Sequence, residues 1–151
     1  MKRTRCSLAS LVIAAAVLCA PSFAAQNSRA AASKPGDSSR MARGRYLVEE
    51  VAICAECHTP ANERGEPDRT RWLQGATINF QPVRPNPNWA LSSPDIAGLP
   101  GWSDAEAVRF FMTGIDRRGT RARPPMHQYR FSNDDAEAVV AYLKSLSPGK
   151  Q

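Results

Sequence analysis

Cys54, Cys57 and His58 fall within five positions of one another in the stretch ICAECHTPA, residues 53–61. Two thiols three residues apart, with an imidazole directly after the second, suit three chemistries: a redox disulfide, half of a zinc site, or covalent attachment of haem. Zinc takes four ligands, normally from two separated pairs. Cys54, Cys57, His58 and His127 make such a set arithmetically possible. Adjacent side chains leave the backbone in different directions, however, so Cys57 and His58 are poorly placed to grip one small ion together. A redox dithiol of the thioredoxin type expects a βαβ setting, whereas here helical residues precede the pair and prolines follow it. The haem reading uses all three residues. The thiols of Cys54 and Cys57 add across the two vinyl groups of the porphyrin, and His58 is held against the iron as an axial ligand. Cys-x-x-Cys-His is the attachment signature of c-type haem.

The start of the chain agrees with that chemistry. MKRTRCSLAS carries Lys2, Arg3 and Arg5 without an acid, LVIAAAVLCA is a short apolar run, and Ser22 and Ala24 offer small residues for cleavage. Basic, apolar and small in that order is the pattern of a secretory signal peptide, read here as residues 1–24. The apolar run is shorter than the roughly 20 residues of a membrane span, so no span is expected after cleavage. Cys6 and Cys19 leave with this segment. The mature chain then keeps two thiols in an oxidising compartment, where they are expected to be covalently engaged. Net charge is +6, from 20 Lys and Arg against 14 Asp and Glu; without Lys2, Arg3 and Arg5 it is 17 against 14, or +3. So weak a surplus does not suggest a nucleic-acid binder, which needs a dense basic stripe.

A second axial ligand decides between an electron carrier and an open iron. Met126 follows Pro124 and Pro125 in GTRARPPMHQYRFSNDD. The prolines restrict the backbone and favour an extended approach that presents the thioether rigidly. His127 is the competing ligand, or a surface residue, or a partner for a haem propionate. Met112 lies on an amphipathic helix and reads as core filler, and Met41 sits too near the leader.

The elements that must position these groups are helical. Residues 25–40, rich in Ala and Ser, read as a flexible leader. A first helix is expected from Met41 to Ile53, with Tyr46, Leu47, Val48, Val51 and Ala52 inward. Residues 58–101 read as a Pro-rich loop, a length that in a small domain is usually functional. Ser103 and Glu106 form a capping box for the next helix, which Gly114 ends. Ser132 caps the last helix, with Ala136, Val139, Val140 and Leu143 inward and Tyr142 beside them; Pro148 and Gly149 end it. No segment shows a period-two strand pattern.

YLVEEVAICAECHTP, GWSDAEAVRFFMTGIDRRG and PPMHQYRFSNDDAEAVVAYLKSL together resemble class I cytochrome c domains, most of all those in cytochrome subunits of bacterial periplasmic dehydrogenases. The resemblance covers residues 41–147, leaving 148–151 as a tail. It implies an all-α fold wrapped around one covalently bound haem c, with terminal helices crossing at a small residue, for which Gly44 is the candidate. It also implies iron ligated by His58 and Met126, single-electron transfer and no substrate of its own. The expected partners are a donor dehydrogenase and an acceptor cytochrome or oxidase, docking transiently in the periplasm. Trp72, Phe80, Trp102, Phe110 and Phe111 either exclude water from the haem or pack the core. Arg117, Arg118, Arg121, Arg123 and Arg130 form either a basic rim for acidic partners or a solvated loop. The enzyme alternative, a small haem peroxidase or gas-binding protein, requires a weak or missing sixth ligand.

Overall fold

Each long helix after the first begins at a serine that takes up a free N–H of the opening turn. A computed structural model of the chain describes residues 36–146. The expected signal peptide, most of the leader and the tail 148–151 lie outside them. Within them stand α1 (Asp37–Tyr46), a π-helical turn (Leu47–Val51), α2 (Ala55–His58), a 3-10 turn (Arg69–Arg71), β1 (Ala76–Thr77), β2 (Ser92–Ser93), α3 (Asp104–Thr113) and α4 (Asn133–Ser145).

Ser103 accepts from the Glu106 N–H and the Glu106 carboxylate returns to the Ser103 N–H, so the expected capping box opens α3; Gly114, at φ 71°, closes it in the left-handed region. Ser132 accepts from the Asp135 N–H at the start of α4. Ala136, Val139, Val140 and Leu143 are buried along one face as expected, and Ala138 and Tyr142 join them.

The first helix departs from expectation at both ends. It starts at Asp37, four residues inside the segment read as leader. Gly36 accepts from the Arg40 N–H (3.0 Å) and the Ser39 hydroxyl (2.8 Å), and Asp37 complements the helix dipole. At the other end the ladder widens. The Ala52 N–H bonds the Leu47 carbonyl at 2.8 Å, a five-residue closure. One extra residue per turn shifts the periodicity, so Leu47, Val48 and Ala52 are buried while Tyr46 and Val51 are half exposed.

α4 is the centre of the packing, with α1 and α3 laid against it. Gly44 is where α1 crosses: a Cβ there would lie 2.0 Å from the Ala138 carbonyl oxygen and 2.8 Å from the Tyr142 Cβ. The Arg43–Asp135 pair (2.8 Å) and a hydrogen bond from Tyr142 to Glu49 flank the crossing. Leu73 and Leu143 are fully buried in the core beneath.

The fold is helical but not wholly so. β1 and β2 pair antiparallel, Ala76 opposite Ser93 and Thr77 opposite Ser92. Two-residue strands leave no alternation to read in a sequence. What permits the pairing is Gly75 at φ 82°, where a Cβ would come within 2.8 Å of the Ser93 carbonyl oxygen.

Candidate functional site

The π turn delivers the chain to Cys54. The Cys54 N–H closes onto the Val48 carbonyl at 3.0 Å, which requires Ile53 to turn into the left-handed region at φ 42°. One helical turn follows, with the His58 N–H on the Cys54 carbonyl at 2.9 Å. That turn makes the motif a site: residues three and four apart on a helix are neighbours, so Cys54 lies beside both Cys57 and His58. All three line one open cleft of about 1610 Å³.

His58 is 6 % exposed and its Nδ1 lies 2.8 Å from the Pro94 carbonyl oxygen. A carbonyl only accepts, so Nδ1 carries the hydrogen and Nε2 keeps its lone pair. Burial lowers the imidazole pKa, favouring the neutral ring that a metal needs. Cys54 and Cys57 are free thiols. Burial pushes Cys54 up to about 12 and raises Cys57 as well. A reactive redox cysteine requires the opposite shift. Among the described residues no group of three or more His, Cys, Asp and Glu side chains could hold a metal ion, so His127 does not complete a zinc set with the motif.

β2 and the residues leading into β1 support the motif. Ser93 donates from its hydroxyl to the Cys57 carbonyl, Gly75 N–H to the His58 carbonyl at 2.8 Å, and Leu73 N–H to the Thr59 hydroxyl at 2.9 Å. Sequence reasoning found neither Ser93 nor Pro94. Pro94 acts through its main-chain carbonyl, which residue type does not advertise; the proline density of the segment was the one available signal.

Met126 and His127 both line the cleft. Met126 is half-buried and His127 exposed. The Pro124–Pro125 peptide is cis and the segment turns, with the Met126 N–H on the Arg123 carbonyl at 3.1 Å, instead of running extended. Tyr129, also in the cleft, donates to the Ala52 carbonyl at 3.0 Å and stacks on Phe131 with rings 5.1 Å apart. It thereby ties the Met126 segment to the residues just before Cys54, a role the sequence did not suggest. Phe80, Trp102, Phe110 and Phe111 line the cleft. Trp72 does not; it is buried in the core, with Arg69 3.8 Å above its ring. Met112 packs on the core.

The cleft therefore fits a large planar apolar group. It has two thiols on one edge of the motif helix, an imidazole presenting a free Nε2, and a thioether on another wall.

Residues 41–147 match the family model Cytochrome c. The chain is 36 % identical over 110 residues to the fructose dehydrogenase cytochrome subunit of Gluconobacter japonicus, covering 69 % of this chain and 21 % of that one. It is 33 % identical over 110 residues to a diheme cytochrome c-type protein of Cereibacter sphaeroides, covering 69 % and 34 %. It is 32 % identical over 124 residues to the cytochrome c subunit of the quinone alcohol dehydrogenase of Gluconacetobacter polyoxogenes, covering 76 % and 26 %. The matched region spans 21–34 % of the length of these relatives.

Proposed function

This chain belongs to the cytochrome c family, and on that premise we propose that it is a periplasmic monohaem carrier passing single electrons from a dehydrogenase to an acceptor cytochrome or oxidase. The observation behind the reading is the convergence of Cys54, Cys57, His58 and Met126 on one cleft. Haem c supplies one-electron chemistry by cycling its iron between two oxidation states. Cys54 and Cys57 would hold it through thioether bonds, and His58 Nε2 and Met126 Sδ would ligate its iron. Pro94 fixes the His58 tautomer and ring orientation, as outer partners of metal-bound histidines do. Phe110, Phe111 and Trp102 keep one wall of the cleft apolar and water out. A thioether ligand and a dry setting both favour the reduced state. The single Cys-x-x-Cys-His supports one haem, unlike the diheme relative. The N-terminal pattern supports export, and no helix among the described residues is long and apolar enough to cross a membrane.

A partner surface is supported by the distribution of charge. Residues 36–146 hold all 14 of the chain's acids and 14 of its bases, so this region is neutral. Five of the bases, Arg117, Arg118, Arg121, Arg123 and Arg130, crowd around the Met126 loop with Asp116 as the one acid there, leaving 9 bases and 13 acids elsewhere. Arg118 pairs with Asp116 at 3.2 Å. Arg117, Arg123 and Arg130 bond main-chain carbonyls, and Arg121 the Gln128 amide, so their charge is not cancelled. An acidic partner face would be steered to the cleft mouth.

Produced with its N-terminal segment in a host that matures cytochromes outside the cytoplasm, the protein should show a Soret band and keep haem stain on a denaturing gel, and Cys54→Ala/Cys57→Ala should lose that stain. Its oxidised form should show the far-red sulfur-to-iron band, and Met126→Ala should abolish it. Colourless protein overturns the haem reading; ready binding of carbon monoxide by the reduced wild type overturns the closed sixth position. Substituting Arg118 and Arg121 with Glu should slow electron transfer to the natural partner at low salt and far less at high salt.

A further inference from the structure

We propose that Arg123 is a positioning residue for the sixth ligand: a latch that holds the Met126 loop against the strap formed by residues 88–94. The inference rests on the reading of Met126 as that ligand. The Arg123 Nε donates to the Asn88 carbonyl at 3.1 Å and its Nη2 to the Trp89 carbonyl at 2.9 Å. The Ala90 N–H returns to the Pro124 carbonyl at 2.7 Å, and the Met126 N–H closes on the carbonyl of Arg123 itself at 3.1 Å. Three hydrogen bonds thus join residues 123–124 to residues 88–90, and a fourth folds Met126 back onto Arg123.

The strap is anchored apart from this contact. Asn86 accepts from the Asn88 N–H with its side chain (2.9 Å) and from the Trp89 N–H with its carbonyl (3.0 Å), and the Trp89 indole donates to the Phe80 carbonyl at 3.1 Å. Phe80 and Trp89 meet edge to face. Further on, the strap enters β2 and ends at Ser93 and Pro94, which hold Cys57 and His58. One stretch of seven residues therefore supports the imidazole directly and the thioether loop through Arg123. The remaining ties on the thioether side lead elsewhere than the strap: the Ala122 N–H bonds the Gly114 carbonyl at 3.3 Å, Arg121 reaches Gln128, Tyr129 reaches Ala52 and Arg130 reaches the Thr113 carbonyl. A planar guanidinium can donate to two successive carbonyls from two different nitrogens at once; a lysine ammonium is a point donor and recovers only part of that geometry.

The consequence is a shifted equilibrium between loop closed and loop open. An external ligand reaches the iron only when the loop is open, so its apparent affinity scales with the open fraction. In the full-length haem-loaded protein, imidazole is titrated into the oxidised form and followed at the Soret and far-red bands. Arg123→Ala should bind imidazole about tenfold more tightly than wild type, a difference of about 1.4 kcal/mol. Arg123→Lys should fall between them. Arg64→Gln, which replaces an exposed arginine outside the cleft, should match wild type. Far-ultraviolet circular dichroism of each variant must retain the wild-type unfolding midpoint within a few degrees, which separates a latch from general loosening. An imidazole affinity of Arg123→Ala equal to wild type overturns the latch, as does a gain that Arg64→Gln reproduces. A far-red band that persists in Met126→Ala instead overturns the ligand reading, and the latch with it.

Discussion

Replacing Gly44 with alanine tests the crossing on which the fold is built. The added methyl would sit 2.0 Å from the Ala138 carbonyl oxygen and 2.6 Å from its carbonyl carbon. Both are backbone atoms, so no rotamer change relieves them, and α1 and α4 must separate by roughly 1 Å. A gap of that size forfeits about a quarter to a half of each dispersion contact across it. Overpacking of this kind costs about 1–3 kcal/mol, and more where nothing can yield. Alanine returns about 1 kcal/mol through helix propensity. Because only backbone can yield, the cost lies at the upper end of that range, and the net expectation is a loss of about 2 kcal/mol, equivalent to about 8–16 °C in melting temperature for a domain of this size. Guanidinium unfolding of the haem-loaded protein, followed by circular dichroism, reads it directly. Because the clash is with a main-chain carbonyl, Ala138→Gly must fail to rescue it. A variant as stable as wild type, or one rescued by Ala138→Gly, would refute the close approach of the two backbones.

Three further outcomes follow from local geometry. Ile53 is β-branched, half exposed and held at φ 42°, so Ile53→Gly should raise the unfolding midpoint, by up to about 1 kcal/mol, since a left-handed backbone strains a side chain; a lower midpoint would show that the exposed side chain matters more. The hydrogen bond from Arg43 holds the Asp135 carboxyl below the usual carboxylate range. Its stabilisation is present above the unfolded value near 4 and is lost as pH falls through the depressed folded value. Asp135→Asn should therefore be less stable near neutral pH, by less than about 1 kcal/mol because Arg43 is half exposed, and the difference should vanish in acid; a difference independent of pH would argue against the ion pair. Ser103→Ala removes one half of the capping box at α3 and should cost about 1 kcal/mol in thermal unfolding, with Ser103→Gly closer to wild type; equal losses would argue against the cap.

Much of the site could be read before any coordinates, because its chemistry lies in local spacing. Cys54, Cys57 and His58 are marked by their spacing, although the short helix Ala55–His58 that carries them was not expected, and Ser103, Glu106, Gly114 and Ser132 mark helix ends through bonds within one turn. The first helix was less legible: its start needed the Gly36 carbonyl and its end a π turn, and neither leaves a mark in apolar periodicity. The same widening turned Val51 outward. The strand pair was not legible at all, being two residues long and dependent on Gly75.

From residue types alone came the Cys-x-x-Cys-His motif, the capped helices, the candidate thioether Met126 and the crowding of arginines around it. Those are short-range matters, settled by which groups stand three or four positions apart. The folded chain decided which carbonyl orients His58, which tyrosine returns to Ala52, and what Arg123 fastens. These depend on main-chain atoms brought together across 35 to 77 residues. A carbonyl is the same in every residue, so only the path of the backbone selects one.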